Sequence, residues 1–267
     1  MTRLFGCTCN QPERLAHALE PVRTVLVAPA PVARWGLGYV QSGEVLLSRT
    51  PRRSVNPVDF YGSFARIQSD YVIGHAASDD HLSGNANTQP FRYRRWLYAQ
   101  DGELADLAAV QEQLLEKVPG YLRRNIQGRT LGEHLFQIFL AMFESTASLD
   151  DVNLPLAESR RALHAAVTLI RGIVPPTPEN FGNIITTNSR SLVAARLGRP
   201  LYMRNLNVPG LAGERSKAKK GDRESVFRGI LVLSSDTPPG QGFEEIPVGS
   251  VLLVSRDLRI EVTSLDI

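Results

Sequence analysis

Cysteine is scarce: Cys7 and Cys9 are the only two in 267 residues. Their close spacing leaves no framework for a disulfide-stapled fold, and without a histidine at ligand spacing they make a poor zinc site. Long apolar runs are lacking too. No stretch nears the roughly 20 consecutive apolar residues of a membrane span, and the first residues show no basic segment leading into an apolar one. The expectation is a cytoplasmic protein with no membrane partner. Charge of one sign is also lacking. The 30 basic and 27 acidic side chains leave a net charge of +3, which disfavours a general nucleic-acid binder. Two local exceptions are Arg92-Tyr93-Arg94-Arg95-Trp96 and Glu214 to Arg223. The second is Gly-flanked and poor in bulky residues, so it is predicted to be a basic surface loop at about 210–225. Phosphate or RNA contact is the sharper reading of both, and neither supplies a fold that reads bases.

What is present is a hydrophobic fraction of 43%, ample for a packed core. Thr2 to Cys9 alternates around Leu4 and Phe5 as a core strand does. Trp35 to Val40 and Glu44 to Ser48 flank Ser42-Gly43, a hairpin signal. Asn56 to Asp59 is predicted to open a short helix carrying Phe60, Phe64 and Ile67. Tyr71 to Ala76 reads as a buried strand, Ser78 to Thr88 as a polar loop, and Arg95 to Ala99 as another strand closed by Asp101-Gly102. Helical periods follow over Glu103 to Val118, Leu131 to Phe143 and Leu156 to Val174, the last stopped by Pro175-Pro176. Short strands then resume to the end of the sequence. Strands, helices, then strands without a long linker predict one α+β domain over residues 1–267.

Several segments taken in order resemble the class II glutamine amidotransferases. Met1-Thr2-Arg3-Leu4-Phe5-Gly6 is similar to that family's M-C-R-L-L-G start, and Trp35-Gly36-Leu37-Gly38 to its W-G-x-G strand. His75-Ala76-Ala77-Ser78-Asp79-Asp80 takes the place of H-V-R-x-A-T, and Asn87-Thr88-Gln89-Pro90-Phe91 that of N-T-H-P-F. Trp96 to Gly102 corresponds to W-x-F-A-H-N-G, and Thr130-Leu131-Gly132-Glu133 to T-D-S-E. The fold this resemblance implies is a four-layer αββα sandwich of the N-terminal-nucleophile type. There the first side chain attacks a carboxamide and its own α-amine is the base, a role suited to an amine with a pKa of about 7.7–8.0.

Carried over position by position, the resemblance makes Thr2, Asp101 and Gly102 the candidate catalytic residues. Arg3, His75, Ala77, Ser78, Asn87, Thr88 and Gln89 become the candidate substrate contacts. Thr2 replaces cysteine; it is read either as a weaker N-terminal nucleophile or as an ordinary β-branched strand residue. Ala77 replaces the arginine expected on a substrate α-carboxylate, Leu131 the aspartate expected on its α-amine, and Asp101 the asparagine expected in the oxyanion hole. An ionised carboxylate has no donor to offer there, whereas a protonated one has. The usual glutamine grip is thus expected to be lost. His75 is read as a structural histidine, Glu133 as favouring its helix N-terminus, and Cys7 and Cys9 as inert buried thiols on one strand face. Asp79, Asp80, His81 and Asp101 would border the cleft; an acidic lining suits an amine-bearing ligand, and a solvated loop is the plainer reading of the first three. Their sequence invites a metal, but adjacent residues rarely converge on one ion. No metal and no cofactor is expected. Candidate partners are a small amide or amine-bearing ligand, a partner protein or a second copy of the chain. The functional readings left open are amide hydrolysis or transfer through Thr2, a non-catalytic binding protein on the same fold, and glutamine hydrolysis by a different arrangement.

Overall fold

The computed structural model describes residues 3–64, 66–78, 82–104, 106–143, 149–174, 177, 182–206 and 226–267. Its strands are β1 (Arg3–Cys9), β2 (Val27–Ala28), β3 (Arg34–Gln41), β4 (Glu44–Thr50), β5 (Val58–Asp59), β6 (Tyr71–Ala77), β7 (Phe91–Tyr93) and β8 (Trp96–Gln100). After the helices come β9 (Ile184–Thr187), β10 (Leu192–Ala195), β11 (Leu201–Asn205), β12 (Gly229–Ser234), β13 (Glu244–Glu245), β14 (Ser250–Val254) and β15 (Ile260–Ser264). The helices are α1 (Leu15–Leu19), α2 (Tyr61–Phe64), α3 (Gln111–Leu115), α4 (Gly120–Arg123), α5 (Leu131–Ala141) and α6 (Leu156–Arg171).

Two antiparallel sheets stack face to face. One has seven strands in the order β13-β11-β12-β1-β6-β3-β4, the other six in the order β15-β14-β10-β9-β8-β7. The period-2 alternation of β1 explains the layering. Leu4 joins Ile73, Leu97, Ile185, Leu192 and Val232 between the sheets, while Phe5, Cys7 and Cys9 turn the other way, onto α1 and α2. On that outer side the Phe5 and Phe60 rings meet edge to face at 5.1 Å. Beyond the six-stranded sheet, Trp96 and Tyr98 of β8 pack on Phe136 and Phe139 of α5, with Leu163 and Ile170 of α6 in the same cluster. The result is helix, sheet, sheet, helix: the four-layer αββα sandwich. No described helix is long and apolar enough to cross a membrane.

Two elements differ from the sequence expectations. The helix predicted over Glu103 to Val118 is broken into a 3-10 turn at Leu107–Ala109 and the short α3. Asp106 accepts a hydrogen bond from the Ala109 N–H and so caps a fresh start inside the periodic stretch. Val58–Asp59, expected at a helix opening, pairs instead with Val27–Ala28 as a two-stranded ribbon. The segment 12–26, which carries Pro12 and Pro21, forms 3-10 turns and α1. The basic stretch at about 210–225 lies outside the described residues.

Gly74 of β6 sits under the Phe5 ring, where an added Cβ would come within 2.1 Å of Cε1. Backbone pairing on both sides of β6 leaves no room to yield. Gly74→Ala is therefore expected to lower stability by about 1–3 kcal/mol through overpacking. Urea unfolding of the purified variant checks this, and a loss below about 0.5 kcal/mol would show that the ring moves freely.

Candidate functional site

The chemistry-bearing residues gather at one end of the sandwich. There β1 begins, β6 and β8 end, β9 begins and β12 ends. Register sets the order: Leu4 pairs with His75 and with Ser234, Arg3 with Ala76, and Arg34 with Ala77.

Asp101, just past β8, is buried and bridges the two sheets. Its Oδ1 accepts the Asn183 N–H at 2.6 Å, and its Oδ2 accepts the hydroxyl of Ser234 at the end of β12. Asn183 completes the lattice. Its Nδ2 donates to Ser234 Oγ at 3.0 Å and to the Arg199 carbonyl at 3.0 Å, and its Oδ1 accepts the Leu197 N–H at 3.1 Å. Burial raises Asp101 to about 6; the hydrogen bond from Ser234, the charge of Arg199 and the Asn183 N–H pull it back only in part. Gly182 lies so close that a Cβ there would sit 1.9 Å from the Gly102 nitrogen. A glycine at 182 is therefore what lets the Asp101-Gly102 turn exist.

Gln89 is buried between the sheets and α5. Its Nε2 donates to the Gln100 carbonyl at 2.9 Å and its Oε1 accepts the Gln100 N–H at 2.7 Å, so the side-chain amide imitates a paired strand residue. The same Nε2 lies 3.4 Å from His75 Nε2. Burial, followed by the charge of Arg34, pushes His75 down to about 3, so the ring is neutral at physiological pH. Asn87 holds the loop before β7. Its Oδ1 accepts the Arg129 N–H at 2.7 Å and its Nδ2 donates to the Ser83 carbonyl at 2.8 Å. The Thr88 hydroxyl donates to the Gly84 carbonyl at 2.9 Å.

At the start of α5 the Thr130 hydroxyl accepts the Glu133 N–H at 3.2 Å. The Glu133 carboxylate takes the N–H groups of Gln127 at 2.9 Å and Gly128 at 2.6 Å. Burial raises its pKa and those two bonds oppose the rise. Leu131 is core. Ala77 is buried on β6, and Ser78 follows it, half-buried. Arg3 opens β1; burial lowers its pKa and the carboxylate of Asp236 opposes that. Cys7 and Cys9 lie under the sheet. Burial raises Cys7 well above its ordinary value and Cys9 to about 12, so both are thiols. Thr2, Asp79, Asp80 and His81 lie outside the described residues. Among the described residues no three His, Cys, Asp or Glu side chains converge to hold a metal.

Solved structures share this architecture. A glutamine aminotransferase class-II domain protein from Silicibacter pomeroyi aligns with a TM-score of 0.60 at 16% identity, over 98% of this chain and 99% of that one. A predicted glutamine amidotransferase from Pseudomonas aeruginosa aligns with a TM-score of 0.56 at 17% identity, again over 98% and 99%. The fold is that of a class II glutamine amidotransferase domain. No family model matches the chain, and no curated protein matches it in sequence.

On this amidotransferase fold, four residues that the sequence reading did not single out shape the site: Arg34, Glu103, Asn183 and Ser234. The Arg34 guanidinium is anchored by Nε on the Asn87 carbonyl at 3.1 Å and reaches Glu103 Oε1 with Nη2 at 3.0 Å. Arg34 directly precedes the Trp35-Gly36 signature, which was the one available hint. Asn183 and Ser234 carry no local signal, because their partner Asp101 is distant in sequence.

The Asp101 shift has a definite sign. A carboxyl raised in the folded state contributes stability that is fully present below its unfolded value near 3.8 and lost as pH rises through about 6. Asp101→Asn keeps an acceptor for the Asn183 N–H and removes the titration. Relative to that variant, the natural chain is expected to lose on the order of 3 kcal/mol between pH 4 and pH 7. Denaturant unfolding of both proteins across that range checks it; parallel curves would mean that Asp101 is not desolvated.

Proposed function

We propose that this chain hydrolyses or transfers an amide through Thr2, on a ligand held otherwise than by the arginine and aspartate that class II amidotransferases present to glutamine. The observation that carries this reading is the convergence of a polar, largely buried lattice on the end of the sandwich where β1 begins. With Met1 removed, the Thr2 α-amine takes the hydroxyl proton as Oγ1 attacks the carbonyl carbon. The C–N bond then breaks, the proton passes to the departing nitrogen, and ammonia or an amine leaves. Water or an acceptor amine releases the acyl group from the ester. Ala77 and Leu131 offer no polar contact to an α-carboxylate or α-amine, which supports a ligand other than glutamine.

One observation favours a second reading, a binding protein without catalysis. Both carboxyl oxygens of Asp101 already accept hydrogen bonds within the protein, so this side chain gives no donor to a developing oxyanion. Loss of one such donor typically costs about 10²–10³ in rate.

Intact mass followed by an ammonia assay separates the two readings. The mature chain is expected to lack Met1 and to release ammonia or amine from a member of an amide panel, with Thr2→Ala abolishing the release. Retained Met1, or release that Thr2→Ala leaves unchanged, would sink the Thr2 mechanism in favour of the binding reading.

A further inference from the structure

The six-stranded sheet is made of three hairpins, β7–β8, β9–β10 and β14–β15, lying side by side in the order β15-β14-β10-β9-β8-β7. Every pairing in it is antiparallel, so all three turns emerge at the end of the sandwich opposite the cleft. Each turn carries arginine. Arg94 and Arg95 join β7 to β8, Arg190 lies between β9 and β10, and Arg256 and Arg259 lie between β14 and β15. Neighbouring turns are two strand spacings apart, so the row spans about 20 Å.

The turns have fixed geometry. Each holds one residue in the left-handed region: Arg94 at φ 52°, Ser189 at φ 68° and Leu258 at φ 61°. The first two turns are tied to each other. Arg95 Nε donates to the Asn188 carbonyl at 2.8 Å, and the Ser189 hydroxyl donates to the Arg95 carbonyl at 2.7 Å. Asn188 Oδ1 accepts the N–H groups of Arg190 at 3.0 Å and Ser191 at 2.9 Å. Arg95 and Arg190 are thus held as neighbours although like charges repel. Burial lowers the pKa of Arg95, and the charge of Arg190 lowers it further.

The carboxylates that face the row are Asp70, Asp150, Asp151 and Asp257. Arg94 pairs with Asp150, and Arg259 with Asp257 at 2.7 Å, in both cases in contact with water. Such exposed pairs are weak and exchangeable. Asp70 is shared: burial raises its pKa, and the charges of both Arg190 and Arg256 oppose the rise. The guanidinium groups therefore meet anions that are exposed or divided between them.

We propose that this row of arginines binds a single-stranded nucleic acid by its phosphates. The inference is independent of the amide chemistry at the other end. Arginine is the only basic residue type in the three turns, and its planar fork matches phosphate oxygens. The Arg94 guanidinium lies 5.3 Å from the centroid of the Tyr93 ring, a paired cation and π face on which an unstacked base can rest. Nothing in the row reads base edges, so binding is by backbone and is not sequence-selective.

Fluorescence anisotropy of labelled oligouridine and oligodeoxythymidine, each of about 20 nucleotides, titrated with the full chain tests this. Both probes are expected to bind alike, since only phosphates are gripped. With about three phosphates neutralised, affinity is expected to fall roughly twentyfold between about 50 and 200 mM salt. Arg190→Gln combined with Arg256→Gln is expected to weaken both probes about tenfold and flatten the salt dependence. The charge-matched pair Arg23→Gln and Arg52→Gln, exposed elsewhere on the surface, is expected to stay within about twofold of the natural chain. Asp70→Asn removes the shared carboxylate and is expected to tighten binding about threefold, a gain that misfolding does not mimic. No binding, equal weakening by the two arginine pairs, or an unchanged Asp70→Asn chain would overturn the proposal. Displacement of oligouridine by polyglutamate at equal charge would also overturn it, pointing to an acidic protein instead.

Discussion

A buried carboxylate links the two sheets where β1 begins. Asp101 belongs to the six-stranded sheet by its position after β8, and Ser234 to the seven-stranded sheet as the last residue of β12. Between them run a hydroxyl–carboxylate bond and Asn183, whose backbone N–H reaches Asp101 while its side-chain Nδ2 reaches Ser234. The apolar layer between the sheets is non-directional and would tolerate sliding, whereas hydrogen bonds to a buried acid do not. The turn to Gly102 and the close approach of Gly182 take their positions from this link. Its raised pKa is the physical trace of the burial that makes it directional.

Around that link, structure and chemistry compete for the same groups. Gln89 gives its whole amide to the Gln100 backbone, Glu133 both oxygens to the Gln127 and Gly128 N–H groups, and Asn87 both ends of its amide to neighbouring loops. Removing any of these partners leaves a buried donor or acceptor at a cost of about 1–3 kcal/mol. A ligand contact that required breaking one of them would start with that deficit.

The fold was more legible in the residues than the site. Alternation in Thr2 to Cys9, the Ser42-Gly43 turn and the helical periods of α5 and α6 are local patterns, and the structure keeps them within a few residues. The broken helix after Glu103 was not legible. Its spacing of Leu104, Leu107, Val110 and Leu114 is helical, yet in so short a segment packing and the Asp106 cap outweigh propensity. Residues flanking known motifs, such as Asp101 and Gln89, were picked out by resemblance. The partners that define what those side chains do were hidden, because Asn183 and Ser234 meet Asp101 only through sheet stacking.

Arg34 and Ala77 show the same limit most clearly, and the physics joins them. They are directly opposed residues of an antiparallel pair, whose Cβ atoms lie about 4.5–5.5 Å apart on one face. Two guanidinium groups there would share a low-dielectric sheet end, and like charges directly opposite one another are destabilising. A sequence read one position at a time presents Ala77 as a lost cation. Register turns that around: with Arg34 already buried in the row, a small neutral residue at 77 is what allows the cation to sit there.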